Sequence, residues 1–303
     1  MAQFFAFTGR NLKVYFRDKG AVFSSLLSML IVIVLMVFFL GDMSIENTTQ
    51  LLGQFPGRDA SADKENARLL VYAWTCAGII SINAVTVTTA VYSSMVKDRV
   101  SQKLNSIYTA PLNRGIITAG YVATAWIAAM AICVFTLALT EVYGVFQGME
   151  VYSVAEHLRI LGLICMNSFL YAAIMYLPAA LTNSDGAWSG IATVIGTLVG
   201  FLGGIYIPVG SFSGTIQGIL KCTPILYGTV LFRDILCDGI LGKTFAGVSG
   251  TVMAEYREVM GIDVTVFGHR MGMGKILGLL LLVGLLFMIL DICALKFGKK
   301  SDR

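Results

Sequence analysis

Segment after segment of this sequence is long enough to cross a bilayer without meeting a charged side chain. Residues 21–41 read AVFSSLLSMLIVIVLMVFFLG, and 69–96, 115–140 and 160–183 are equally free of Asp, Glu, Lys and Arg. Each reaches or exceeds the roughly 20 apolar residues that a helix needs to span the hydrocarbon core. A further uncharged run, 186–220, is at about 35 residues too long for one helix and too short for two with a turn. The sequence therefore predicts one helix over 186–207, a break at Pro208 and Gly210, and a short re-entrant or interfacial piece beyond it. Non-helical backbone at that depth is tolerated only where protein or a water-filled cavity surrounds it. The last run, within 275–296, carries a single acid, Asp291, near its end. The expectation is an all-α integral membrane protein of six transmembrane helices.

Composition agrees. Of 303 residues, 56% are hydrophobic and 13% charged, with a mean hydropathy of +0.78. A soluble domain averages about 25% charged residues. So few charges cannot cover a sphere, and part of the solvent must be lipid. The net charge of +4 rests on few groups, which argues against nucleic-acid binding. Their placement says more. With the N-terminus inside, three short inner stretches hold Arg10, Lys13, Arg17, Lys19, then Lys97, Arg99, Lys103, Arg114, then Lys296, Lys299, Lys300, Arg303. The outer segments hold the remaining bases together with most of the acids, as the positive-inside rule requires. Both termini are expected in the cytoplasm. The first run starts only near Ala21, lacks a small-x-small cleavage pattern and is as long as a span, so it reads as an uncleaved helix.

Between the spans lie two sizeable outer segments, 42–68 and 208–274. The second mixes apolar TPILYGTVLF with polar AEYREVMGID and is expected to lie on the membrane surface as short helices around a re-entrant element. No internal repeat is evident, which weighs against transporter folds built from two related halves.

Residues 1–20 suit an interfacial helix. At helical spacing Phe5, Leu12, Tyr15 and Phe16 share one face while Arg10, Lys13 and Arg17 share another, an arrangement that lies in the headgroup plane with its basic side toward anionic lipid. Flanking positive charge without a helix is the plainer alternative. The loop VKDRVSQKLNSIYTAPLNRG places Val100, Leu104, Ile107 and Tyr108 at helical spacing among Lys97, Asp98, Arg99 and Lys103, and Pro111 ends the pattern. This predicts a short helix over 97–110. A rigid helix joining two spans is a mechanical handle; an ordinary surface turn is the competing reading.

Glycines recur at every fourth position at Gly196, Gly200 and Gly204. Small residues so spaced permit close helix contact in lipid, either at a dimer seam or within one subunit. Asn83, Thr86, Thr88, Thr89 and Asn167 are polar residues inside spans. Asn83 and Thr86, about one turn apart, either line a route or bond helix to helix. Glu141 and Asp291 sit near span ends, so neither demands a proton relay.

Six cysteines show no CxxC spacing, which excludes the common zinc and thiol-redox motifs. Cys222 and Cys237 share an outer segment and are either paired or free thiols. Gly242-Lys243-Thr244 looks like the end of a phosphate-binding loop, but Cys237 stands where the first glycine belongs. With only His157 and His269, both outside, nothing assembles a catalytic centre or a metal site.

Taken in order along the chain, these features resemble the ABC-2 type permeases, the membrane subunits of type V ABC exporters. TGRNLKVYFRDKGAVFSSLL is similar to that family's amphipathic start. The loop resembles its E-R-x-x-G-T-L-E-x-L…P-x-x-R coupling segment at Arg99, Leu104, Pro111 and Arg114, with Asp98 in place of the usual glutamate and Ser101-Gln102 in place of glycine-threonine. GFLGGIYIPVGSF followed by CTPILYGTVLFRDIL is similar to its fifth span and outer re-entrant element. The resemblance implies a cytoplasmic coupling helix in which Asp98, Arg99, Gln102, Lys103, Leu104, Ile107 and Tyr108 meet a separate ABC ATPase. It implies a second permease subunit, identical or related, and no cofactor in this chain, since ATP and Mg belong to the ATPase. It also implies an exporter, in the cell membrane, of an amphipathic drug, antimicrobial peptide or lipid-like molecule. The rival expectation is a stand-alone secondary transporter or channel, which would want ionisable residues buried in mid-span; a membrane enzyme would need a cluster of His, Asp or Glu that the sequence lacks.

Overall fold

A computed structural model of the chain describes residues 2–35, 41–102 and 114–297. Among them the backbone is almost wholly helical. Helix α1 (Ala2–Arg17) leads into α2 (Lys19–Leu35), and α3 (Gly41–Leu52) precedes the long α4 (Ala60–Val100). Then follow α5 (Arg114–Phe146), α6 (Val154–Leu181) and α7 (Asp185–Leu202). A single 3-10 turn (Val209–Ser211), α8 (Gly214–Lys221), α9 (Pro224–Thr244), α10 (Gly250–Val259) and a two-stranded hairpin, β1 (Thr265–Val266) with β2 (His269–Arg270), lead to α11 (Met273–Phe297). Helices α4, α5, α6, α7 and α11 are each long and apolar enough to cross a membrane. Over its described residues α2 is apolar but shorter.

Helix α4 is the axis of the bundle. Its 41 residues make a rod of about 60 Å, twice the roughly 30 Å of the hydrocarbon core, so both ends project. Of its apolar window 89% is buried, against 17% for α7 and 22% for α11. A helix that is apolar all round is buried on all sides, and small residues let the neighbours close in. A methyl group on Gly78 would stand 2.6 Å from Ile205. The helix starts where the Asp59 carboxylate accepts the Ser61 N–H at 2.9 Å. It ends where Ser101 caps it and Gln102 turns into the left-handed region with φ 57.

The charged residues Lys97, Asp98 and Arg99 thus form the last turn of α4 rather than the start of a separate helix at 97. A helix that has left lipid has no reason to stop at the first charge. Likewise the expected outer loop 42–68 is α3 followed by the first turns of α4, and α7 stops at Leu202 rather than near Ile207.

We call the end of the bundle that carries α1 basal and the opposite end, with α3, α9 and α10, distal. The expected outer segment 208–274 contains the short helices α8 and α10 and, between them, α9, which runs for 21 residues against the distal half of α4, with Leu226, Leu231, Phe232 and Leu236 buried. Its approach is close. Thr229 Oγ1 donates to Ser81 Oγ of α4 at 3.1 Å, and a methyl group on Gly228 would stand 2.7 Å from Asn167 Oδ1 of α6. The hairpin pairs Thr265 with Arg270 and Val266 with His269, and both turn residues, Phe267 and Gly268, take positive φ, as a two-residue turn of this hand requires.

Candidate functional site

The basal end of α4 is a junction. Asp98 accepts both Nη1 and Nη2 of Arg10 from α1, at 3.2 and 3.3 Å. Arg99, the next residue, turns the other way: its Nη1 donates to the carbonyl oxygens of Ala180 and, at 3.3 Å, Thr182 at the end of α6. Those are C-terminal carbonyls without intrahelical partners, where a cation is favoured. Six residues before Arg99, Ser93 Oγ accepts the indole N–H of Trp188 at 2.8 Å, which fixes the start of α7. Within two turns α4 thereby grips α1, α6 and α7. Lys103, Leu104, Ile107 and Tyr108 of the expected coupling helix, and Pro111 after it, lie outside the described residues.

Helix α1 has three stripes, not two. Phe7, Thr8, Asn11 and Tyr15 are buried against the bundle, with the Phe7 ring set edge-on to Tyr121 of α5 at 5.1 Å. Phe5 and Phe16 remain exposed as an apolar stripe, and Arg10, Lys13 and Arg17 form the exposed basic one. The expected grouping of Tyr15 with Phe5 and Phe16 fails because Tyr15 turns inward, where its hydroxyl meets Ser25 Oγ at 2.9 Å.

Asn83 and Thr86 sit in different surroundings. Asn83 is fully enclosed and donates from Nδ2 to Thr136 Oγ1 of α5 at 2.9 Å, whereas Thr86 is half-buried and bonds the Asn83 carbonyl at 3.3 Å. The glycine series does not make one seam either. Gly196 faces open space, a methyl group on Gly200 would run into the Tyr206 ring, and Gly204 has φ +60 in the turn that ends α7. Equal spacing in sequence stops implying a shared face once the helix has ended between two of the residues.

Sequence reasoning missed the distal centre. Arg233, midway along α9, has no exposed surface and, among the described residues, no carboxylate partner. Its Nη2 donates to the Gly204 carbonyl at 2.7 Å and its Nη1 to those of Met260 and Gly261, at 3.2 and 3.3 Å. The guanidinium also lies over the Trp74 ring of α4, 4.0 Å from its centroid. The C-terminal ends of α7 and α10, each the negative pole of a helix, thus converge on one cation with an aromatic face beneath it. Burial pushes the guanidinium down to about 9, so it stays charged at neutral pH. The Trp74 indole N–H donates to Met260 O at 2.7 Å, closing the knot. Around it, Arg58 holds Asp63 through two bonds of 2.8 and 2.6 Å and reaches the Thr244 and Ala246 carbonyls, tying the approach to α4 onto the end of α9. Arg257 bridges Asp263, at 2.8 Å, and Asp234. The only advance signal was an arginine inside the apolar stretch PILYGTVLFRDIL. Cys222 and Cys237 are both free thiols, the first exposed and the second buried.

Among the described residues no group of His, Cys, Asp and Glu has the makings of a metal site. A family model described as ABC-2 family transporter protein matches residues 56–292, from just before α4 to near the end of α11. No curated protein matches the chain.

Proposed function

This chain belongs to the ABC-2 family of transporter proteins, and from that premise we propose that it is the permease subunit of an ATP-driven exporter, moving an amphipathic molecule out of the cytoplasm. A separate cytoplasmic ATPase binds ATP and Mg and hydrolyses the nucleotide; this chain supplies the path through the cell membrane. The basal end faces the cytoplasm, with α2 as the first of six spans, and a second permease subunit, identical or related, completes the transporter.

One observation carries the mechanical part of this reading: adjacent residues at the end of the central rod hold different elements, Asp98 the basic helix α1 and Arg99 the end of α6. A push on the segment after α4 reaches both at once. The rod then delivers the motion to the distal cap, because α4 is a single unbroken helix. The basic stripe of Arg10, Lys13 and Arg17 lies on the same end, where anionic headgroups of the inner leaflet attract it. The test is co-expression with the candidate ATPase. Arg99→Ala is expected to leave the complex assembled but to abolish cargo-dependent stimulation of ATP hydrolysis. Transport by the purified chain alone, with no ATPase present, would refute the proposal.

A second reading, the stand-alone secondary transporter, gains support from Asp291. It is fully buried in α11, and among the described residues neither carboxylate oxygen has a hydrogen-bond partner, the kind of intramembrane carboxylate that couples transport to an ion gradient. In proteoliposomes under a proton gradient, uptake lost in Asp291→Asn would favour this reading. Gradient-independent, ATP-dependent transport retained in the same variant would favour the exporter.

A further inference from the structure

Between α2, α3, α4 and α5, toward the distal end, lies a pocket of about 540 Å³. That is within the roughly 300–1,000 Å³ of sites that enclose small ligands. Its floor is Tyr72, Thr75, Cys76 and Ile79 of α4. The polar groups of that floor are already engaged: Tyr72 donates its hydroxyl proton to Thr140 O at 2.7 Å, and Thr75 Oγ1 donates to Val71 O at 2.8 Å. They offer little to a polar occupant, so the slot presents carbon. It opens sideways, since Leu30 and Leu139 at its edge are 43% and 44% exposed on the outward faces of α2 and α5. Water gains little in such a slot, whereas a hydrocarbon chain already in lipid enters without crossing water.

The rim is charged at one end only. Arg68 sits there with Glu65 at 2.6 Å and Gln147 Oε1 at 2.5 Å, and exposed Asp42 stands at the start of α3. The Arg68–Glu65 pair is open to solvent and therefore weak. A phosphate can take the place of Glu65 on the guanidinium fork. Opposite charges on one rim match a zwitterion better than a simple anion.

We propose that this pocket holds one acyl chain of a zwitterionic phospholipid, its phosphate on Arg68 and its cationic ammonium group by Asp42. The inference rests on reading α4 and α5 as membrane spans, and the experiment separates the two. The full chain is reconstituted in phosphatidylcholine vesicles containing phosphatidylcholine with a diazirine in one acyl chain, photolysed, and mapped by mass spectrometry. Thr75 and Cys76 are only 6% and 4% exposed, so bulk lipid reaches them through the pocket alone, while Leu282 and Leu285 on the outward face of α11 report bulk lipid. Label is expected at both places. Thr75→Phe, or Leu139→Trp at the mouth should the first variant not insert, is expected to remove the pocket label and spare α11. Arg68→Gln combined with Asp42→Asn is expected to lower pocket labelling about tenfold, the loss of roughly 1.4 kcal/mol of head-group contact, with no change for a diacylglycerol carrying the same chain. Label on α11 alone would overturn the site. Equal labelling by both probes in wild type and double variant would overturn the head-group assignment. Absence of label from α11 as well would overturn the membrane reading itself.

Discussion

Arg233 and Arg10 hold opposite ends of the molecule in opposite ways. Arg233 is sealed inside the distal cap, held by three backbone carbonyls and the face of Trp74. Arg10 lies on the basal surface, 42% exposed, and holds the single carboxylate of Asp98 through bonds longer than 3 Å. A buried cation surrounded by fixed dipoles cannot leave its place without stranding both itself and its acceptors. An exposed ion pair exchanges partners with water at little cost. The cap is therefore built to stay in one arrangement and the junction to change. This is the division expected of a machine pushed at one end, and Arg99, half-buried on carbonyls, stands between the extremes.

The sharpest way to break this contrast is Arg233→Met, which keeps the length and removes the charge and donors. It leaves the Gly204 and Gly261 carbonyls unpaired, while Met260 O keeps the Trp74 indole N–H, and a loss of about 3 kcal/mol is expected, read as a fall in apparent Tm by tryptophan fluorescence in detergent. An unchanged Tm would mean that packing of α9 on α4 alone holds the cap. Gly204→Ala is next. The left-handed φ and a new methyl group 2.6 Å from Val209 together should cost about 2 kcal/mol, with the same optical readout. Arg99→Ala should cost about 1.5 kcal/mol, since it removes the donor from two carbonyls at a half-buried helix end, while its effect on coupled ATP turnover exceeds its effect on Tm. Smallest is Arg10→Ala, expected within about 0.5 kcal/mol and vanishing at high salt. A double-mutant cycle with Asp98→Ala checks it, and a coupling energy approaching that of Arg233 would show the junction to be as fixed as the cap.

Much of this was legible in the sequence, and unevenly so. The apolar runs became α4, α5, α6, α7 and α11, and the amphipathic start became α1. Asp98 and Arg99 were singled out before their partners were visible. Thr48 and Tyr256, whose hydroxyls meet at 3.1 Å across 208 positions, left no trace in the sequence, nor did Ser93 and Trp188. The glycine series misled because its residues straddle the end of α7. The packing of the outer segment was not legible because an apolar stretch with one arginine looks the same whether it coats a membrane or fills a core.

The sequence by itself determined the solvent and the elements: apolar length and charge placement are sums over neighbouring residues, and a bilayer responds to such sums. Tertiary structure alone decided which polar groups meet, because the carbonyls that hold Arg233 come from two helix ends that folding brings together from distant parts of the chain. Partners for a buried charge must be brought to it from elsewhere in the fold, and that is a property of packing, with no counterpart in any stretch of sequence.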